Sequence, residues 1–132
     1  MTANAGRAPD YSATDDDTFR AEVRAFFERE YPGHLRYILR RARWEEMKGW
    51  WRQLYDQGWI APNWPREWGG MGLGAGKMVI FLEEMERWGV ARAPDQGITQ
   101  VGPIIMKFGT GAQQQHYLPK TLSGEYIWCQ GY

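Results

Sequence analysis

From Phe19 onward, Phe19, Val23, Phe26 and Phe27 fall at i, i+4, i+7 and i+8, which is one face of a helix. Asp15, Asp16 and Asp17 precede it, where a carboxylate caps free N–H groups and suits the helix dipole. Tyr31-Pro32-Gly33 ends the pattern. Leu35, Ile38, Leu39 and Ala42 predict a second helical stripe, with Arg36, Arg40, Arg41 and Arg43 lying around it. Trp44, Met47, Trp51, Leu54 and Tyr55 continue the period, in the same helix or a new one, until Gln57-Gly58. Met78, Phe81, Leu82, Met85 and Trp88 give the clearest helix, spanning 77–88 and stopped by Gly89. Val79 and Ile80 widen its apolar face, and Glu83, Glu84, Glu86 and Arg87 form its wetter side.

Between the last two patterns, residues 59–73 carry Pro62, Pro65, Gly69, Gly70 and Gly72, so they cannot be regular helix. They also carry Trp59, Ile60, Trp64, Trp68 and Met71, which are too apolar for a free linker. The expectation is an ordered loop packed over the helices. Ala93-Pro94-Asp95-Gln96-Gly97 reads as a second loop. Gly102-Pro103 then opens a helix, because proline suits the first helical position. Ile104, Ile105, Met106 and Phe108 are apolar on more than one face, so that helix is expected to be buried, with Gly109 as a left-handed stop. Thr110 and Gln113 form a capping box for the next helix, which Pro119 breaks or kinks. Ser123-Gly124-Glu125 makes a turn, and Tyr126-Ile127-Trp128-Cys129 has strand composition but no partner strand.

The fold class expected from these elements is all-α: an orthogonal bundle of about five to six helices in residues 15–124. A disordered N-terminus precedes it, to about Ser12 and within residues 1–14, and a single C-terminal strand in 125–132 would start a further β-domain. At 132 residues the chain can bury a real core. Lys+Arg and Asp+Glu are both 16, so there is no general pull toward nucleic acid or an anionic membrane. No apolar run approaches membrane-spanning length. One cysteine, Cys129, excludes an internal disulfide and fits a reducing cytoplasm. Eight tryptophans call for a core or a partner-facing surface to take them.

Candidate chemistry is sparse. His34 and His116 are isolated from any metal-ligand spacing, the aspartate run reads as a helix start, and no metal site is expected. Cys129 has no matched base. Gly-Gly-Met-Gly at 69–72 lacks the lysine and the preceding strand of a phosphate loop. The arginine run reads as a solvated face. No catalytic residue is assigned.

Two stretches are specific. Gly58-Trp59-Ile60-Ala61-Pro62-Asn63-Trp64-Pro65-Arg66-Glu67-Trp68-Gly69-Gly70-Met71-Gly72, and then GPIIMKFGT with YLPKTLSGEYIWCQGY, stand in order. They resemble the N-terminal helical domain of the acyl-CoA dehydrogenase family, and the resemblance covers about Thr18 to Tyr132. It implies an FAD enzyme that takes hydrogens from the α and β carbons of an acyl-CoA thioester. It also implies an electron-transfer flavoprotein as acceptor, a homo- or hetero-oligomer, and a catalytic glutamate beyond Tyr132. The matching positions put Gly97, Thr99, Gln100 and Val101 at the acyl pocket and Gln130, Gly131 and Tyr132 beside the flavin. The alternatives are a non-catalytic helical subunit docking on a catalytic chain, or part of a related flavoenzyme such as a nitroalkane oxidase or a flavin monooxygenase.

Overall fold

A computed structural model describes residues 7–94 and 96–132. Five α-helices are described: α1 Asp16–Glu30, α2 Trp44–Gln57, α3 Ala75–Trp88, α4 Gly102–Phe108 and α5 Gly111–Ser123. Short 3₁₀ turns lie at Gly33–Leu35 and Arg66–Trp68, and a π-helical turn at Gly97–Val101 leads into α4. No strand occurs among the described residues. The expected strand at 126–129 is instead irregular chain, because it has no neighbour to make a ladder with.

Two cores hold the helices together. The first joins α1, α2 and α3 through Phe19, Val23, Phe26, Phe27, Trp50 and Phe81, with Trp59 dropping into it from the loop. Asp15 caps α1, its Oδ1 accepting from the Thr18 N–H at 2.9 Å. The N-terminal segment belongs to this core as well. Ala8 and Tyr11 are buried, and the Tyr11 hydroxyl donates to Glu22 at 2.5 Å. Disorder to Ser12 is therefore corrected for these residues: aromatic burial against Phe19 and Trp59 holds the segment down. Residues 1–6 lie outside the described residues.

Glu84 also departs from its expected place. It is not on a wet face but 1% exposed, between α1 and α3. Its carboxylate accepts from Arg20 Nη1 at 3.1 Å, Arg24 Nε and Nη2 at 3.0 and 2.9 Å, and Arg87 Nε at 2.7 Å. These hydrogen bonds, Arg24's foremost, overcome desolvation and hold its pKa down at about 2, against an ordinary 4.5. Because α3 turns Glu84 inward with Ile80 and Phe81, Val79 and Leu82 point outward and are exposed.

The stripe at residues 35–42 is not a helix. Tyr37 stands at φ 52°, and its N–H donates to Gly89 O at 2.9 Å, while Arg36 Nε donates to Trp88 O at 2.9 Å. These bonds tie the segment to the end of α3 and leave Leu39 fully exposed. α2 begins afresh at Trp44, where the Glu46 carboxylate accepts from the Arg43 N–H at 2.8 Å.

The second core gathers Trp51, Ile60, Ala61, Trp64, Ile98, Leu118 and Leu122. Residues 59–73 are an ordered loop folded on itself, with Met71 N–H on Ala61 O at 3.1 Å and Gly72 N–H on Trp64 O at 2.9 Å. The capping box forms as expected: Thr110 Oγ1 accepts from the Gln113 N–H at 3.2 Å, and Gln113 Oε1 from the Thr110 N–H at 2.8 Å. α5 runs continuously through Pro119. α4 is less buried than its composition suggests. Ile105 and Met106 face the core, but Ile104 and Phe108, one turn apart, are exposed. Gly109 has φ −73° rather than a left-handed value. Its position excludes a side chain for a different reason: a Cβ there would stand 2.6 Å from Ile105 O.

Candidate functional site

The π turn leaves one carbonyl without a backbone donor. In an i→i−5 register the donor for Ile98 O would be residue 103, and Pro103 has no N–H. The Gly102 N–H does bond to Gly97 O in that register. The carbonyl left without a backbone donor is taken by the Trp64 indole, whose Nε1–H donates to Ile98 O at 2.7 Å. Trp64 reaches it only because residue 102 has no side chain: a Cβ on Gly102 would stand 1.9 Å from the Trp64 ring. Loop, π turn and α4 are thus locked at one point, and Thr99 and Gln100 are turned to the exposed side.

The C-terminal segment is laid against the same turn. Trp128 Nε1–H donates to Thr121 Oγ1 at 2.9 Å, and that hydroxyl donates to Tyr117 O at 2.8 Å. The Trp128 ring packs edge-on to Tyr117, 5.8 Å between centroids. It lies directly over Gly97, where a Cβ would meet the ring at 2.6 Å and the Thr121 methyl at 2.7 Å.

Between turn and tail is a cleft of about 400 Å³, within the usual range for a small-molecule site. Thr99 and Gln100 line it from one side and Gln130 and Tyr132 from the other. These are four of the seven residues singled out from the sequence, drawn from both sets. Gly97 forms the seat for Trp128 instead, and Val101 and Gly131 are not in the lining. Gln96, Trp128 and Cys129 add to the walls, and Arg41 and Arg92 stand at the cleft from two other loops. Sequence reading missed the arginines because the apparent helical stripe gave Arg41 a solvated face. The tether of residues 36–37 to the end of α3, which brings that loop here, has no local signature. No carboxylate or histidine lines the cleft among the described residues.

A family model for the acyl-CoA dehydrogenase N-terminal domain matches residues 13–125. The chain belongs to that family. The acyl-CoA dehydrogenase IpdE1 of Mycolicibacterium smegmatis is 35% identical over 125 residues, covering 86% of this chain and 31% of that protein. Among solved structures, the ChsE4–ChsE5 complex from Mycobacterium tuberculosis superposes with a TM-score of 0.67 at 28% identity, over 83% of this chain and 28% of that one. The Tcur3481–Tcur3483 steroid ACAD gives 0.63 at 30% identity, over 84% and 29%. The chain therefore spans about a third of the length of the acyl-CoA dehydrogenases it matches. The family domain is the helical bundle described here. No helix among the described residues is long and apolar enough to cross a membrane.

Proposed function

We propose that this domain forms one wall of the acyl and flavin site of a cytoplasmic FAD-dependent acyl-CoA dehydrogenase. The observation that carries the reading is the meeting of Thr99 and Gln100 with Gln130 and Tyr132 around one cleft. The π turn presents polar side chains toward an acyl thioester, while Trp128, Gln130 and Tyr132 supply a wall suited to the ring portion of FAD. A flavin ring needs aromatic or apolar faces with a few amide partners at its edge, and that donor set fits. The cleft offers no glycine-rich phosphate loop, and its cationic groups are Arg41 and Arg92. Bound FAD would supply the acceptor for the β-hydride, once the α-proton is taken by a base that this wall does not contain. The chain's own residues bind, orient and exclude water, and an electron-transfer flavoprotein would take the electrons onward. The ChsE4–ChsE5 relative is a complex of two proteins. By that analogy the remainder of the site comes from further domains or a partner polypeptide, in a homo- or hetero-oligomer.

The test is to isolate the chain with its native partners or remaining domains and mix the yellow protein with an acyl-CoA without oxygen. Loss of the flavin's visible absorbance is expected, with formation of the 2,3-enoyl thioester. Thr99→Trp, which crowds the acyl side of the cleft, should raise KM for acyl-CoA by about tenfold or more in the fraction that retains flavin. A protein that neither holds flavin nor binds acyl-CoA would refute the reading.

A further inference from the structure

We propose that Arg41 is a specificity-determining residue that recognises an oxyanion, carboxylate or phosphate, on the ligand of this cleft; the proposal rests on the reading of the cleft as an acyl-CoA site. Two nearby arginines are already engaged. Arg36 donates to Trp88 O at 2.9 Å, and its guanidinium sits 3.5 Å from the Trp88 ring centre. Arg40 holds Glu46 with two hydrogen bonds, 2.8 and 2.6 Å. The Arg41 side chain makes no hydrogen bond or ion pair among the described residues, and it lines the cleft. Arg92, which has an interaction of its own, adds a second positive charge.

The backbone that carries Arg41 is fixed. Its carbonyl accepts from Arg40 Nη1 at 3.3 Å, Ala42 beside it is buried, and the next N–H caps α2 on Glu46. Its guanidinium is a rigid planar fork that matches a carboxylate or phosphate. The walls between Arg41 and the tail mix amide side chains with aromatic rings. The arrangement suits a ligand with an apolar body and one anionic end.

The two sources of such an oxyanion are a carboxylate at the far end of the acyl chain and a phosphate of the CoA nucleotide. Arg41→Gln in the complete flavoprotein separates them. The probes are a straight-chain acyl-CoA, its ω-carboxy analogue of equal length, and the matching pantetheine thioesters, which lack the nucleotide phosphates. A carboxylate partner predicts a KM increase of about 10- to 100-fold for the ω-carboxy substrates alone, with kcat little changed. A phosphate partner predicts the same increase for both CoA thioesters and none for the pantetheine forms. Arg41→Lys should keep part of the effect, with a steeper salt dependence. Equal KM values in wild type and Arg41→Gln for all the probes would overturn the proposal. In that case Thr99→Trp shows whether the cleft reading survives: a raised KM there leaves it standing, and an unchanged one removes both.

Discussion

Tryptophan has different work in the two halves of the molecule. In the α1–α2–α3 half, Trp50 and Trp59 meet other rings: Phe26 lies 5.6 and 4.6 Å from them, and Tyr31 lies 5.1 Å from Trp50. The Trp88 indole N–H there is buried with no hydrogen-bond partner, and its ring face takes Arg36. Polar specificity in that half comes from one carboxylate, Glu84, under three guanidiniums. In the other half, Trp51 donates to Leu122 O at 2.9 Å, Trp64 to Ile98 O at 2.7 Å and Trp128 to Thr121 Oγ1 at 2.9 Å. Trp64 and Trp128 pin irregular or terminal chain to the π turn and to α5, while Trp51 ties α2 to the last turn of α5. The first half is a conventional packed core. The second uses indoles to hold backbone in non-standard shapes, and the cleft is what those shapes leave between them.

The largest effects should come from emptying either core. Trp50→Ala and Trp64→Ala should each cost about 3–5 kcal/mol in denaturant unfolding. The comparison predicts a split in function at equal stability loss, with ligand affinity surviving in Trp50→Ala at temperatures where the fold persists and failing in Trp64→Ala.

Breaking the Glu84 clamp comes next. Glu84→Gln leaves the arginines without their shared carboxylate, and because they are part-exposed the cost should be about 2–3 kcal/mol. The pH dependence is signed. The folded pKa of about 2 lies below the ordinary 4.5, so the clamp's stabilisation is fully present above pH 4.5 and is lost as pH falls toward 2. Unfolding free energies measured across that window should slope less in Glu84→Gln than in wild type.

A smaller change isolates the pins. Trp64→Phe removes a donor from a buried carbonyl, whereas Trp88→Phe removes an indole N–H that bonds to nothing. Trp64→Phe should be the costlier by about 1–3 kcal/mol. The smallest effect expected is loss of the α5 cap: Thr110→Ala should cost about 1 kcal/mol by thermal or urea melting and leave the cleft unchanged.

Legibility in the sequence divides along similar lines. Features set by a few neighbouring residues could be read: the α1 stripe from Phe19 to Phe27, the Thr110–Gln113 box, the helix ends at Gly58 and Gly89, and an apolar loop too rich in proline and glycine for helix. Features set by distant partners could not. Glu84 looks solvated until Arg20 and Arg24 arrive from α1, more than 60 residue positions away in Arg20's case. Residues 35–42 have helical spacing, but their backbone is claimed by the end of α3. Pro103 marks a helix start in the sequence, but nothing local shows that the turn before it takes the π register. Of the candidate site, the family resemblance supplied Thr99, Gln100, Gln130 and Tyr132. Arg41 depended on a loop path that only the folded chain reveals.

On the proposed reading, the tail seated by Trp128 on Gly97 and the π turn together form a ligand wall. The most direct measurement is KM for an acyl-CoA in the complete flavoprotein carrying Gly97→Ala. A Cβ there would lie 2.6 Å from the Trp128 ring and 2.7 Å from the Thr121 methyl of α5, so the tail must lift and that part of α5 must give, while the α1–α3 core stays in place. KM should rise about tenfold or more, with about 1–3 kcal/mol of stability lost to overpacking. An unchanged KM, in a variant whose Trp128 is shown by fluorescence to have moved, would contradict that reading.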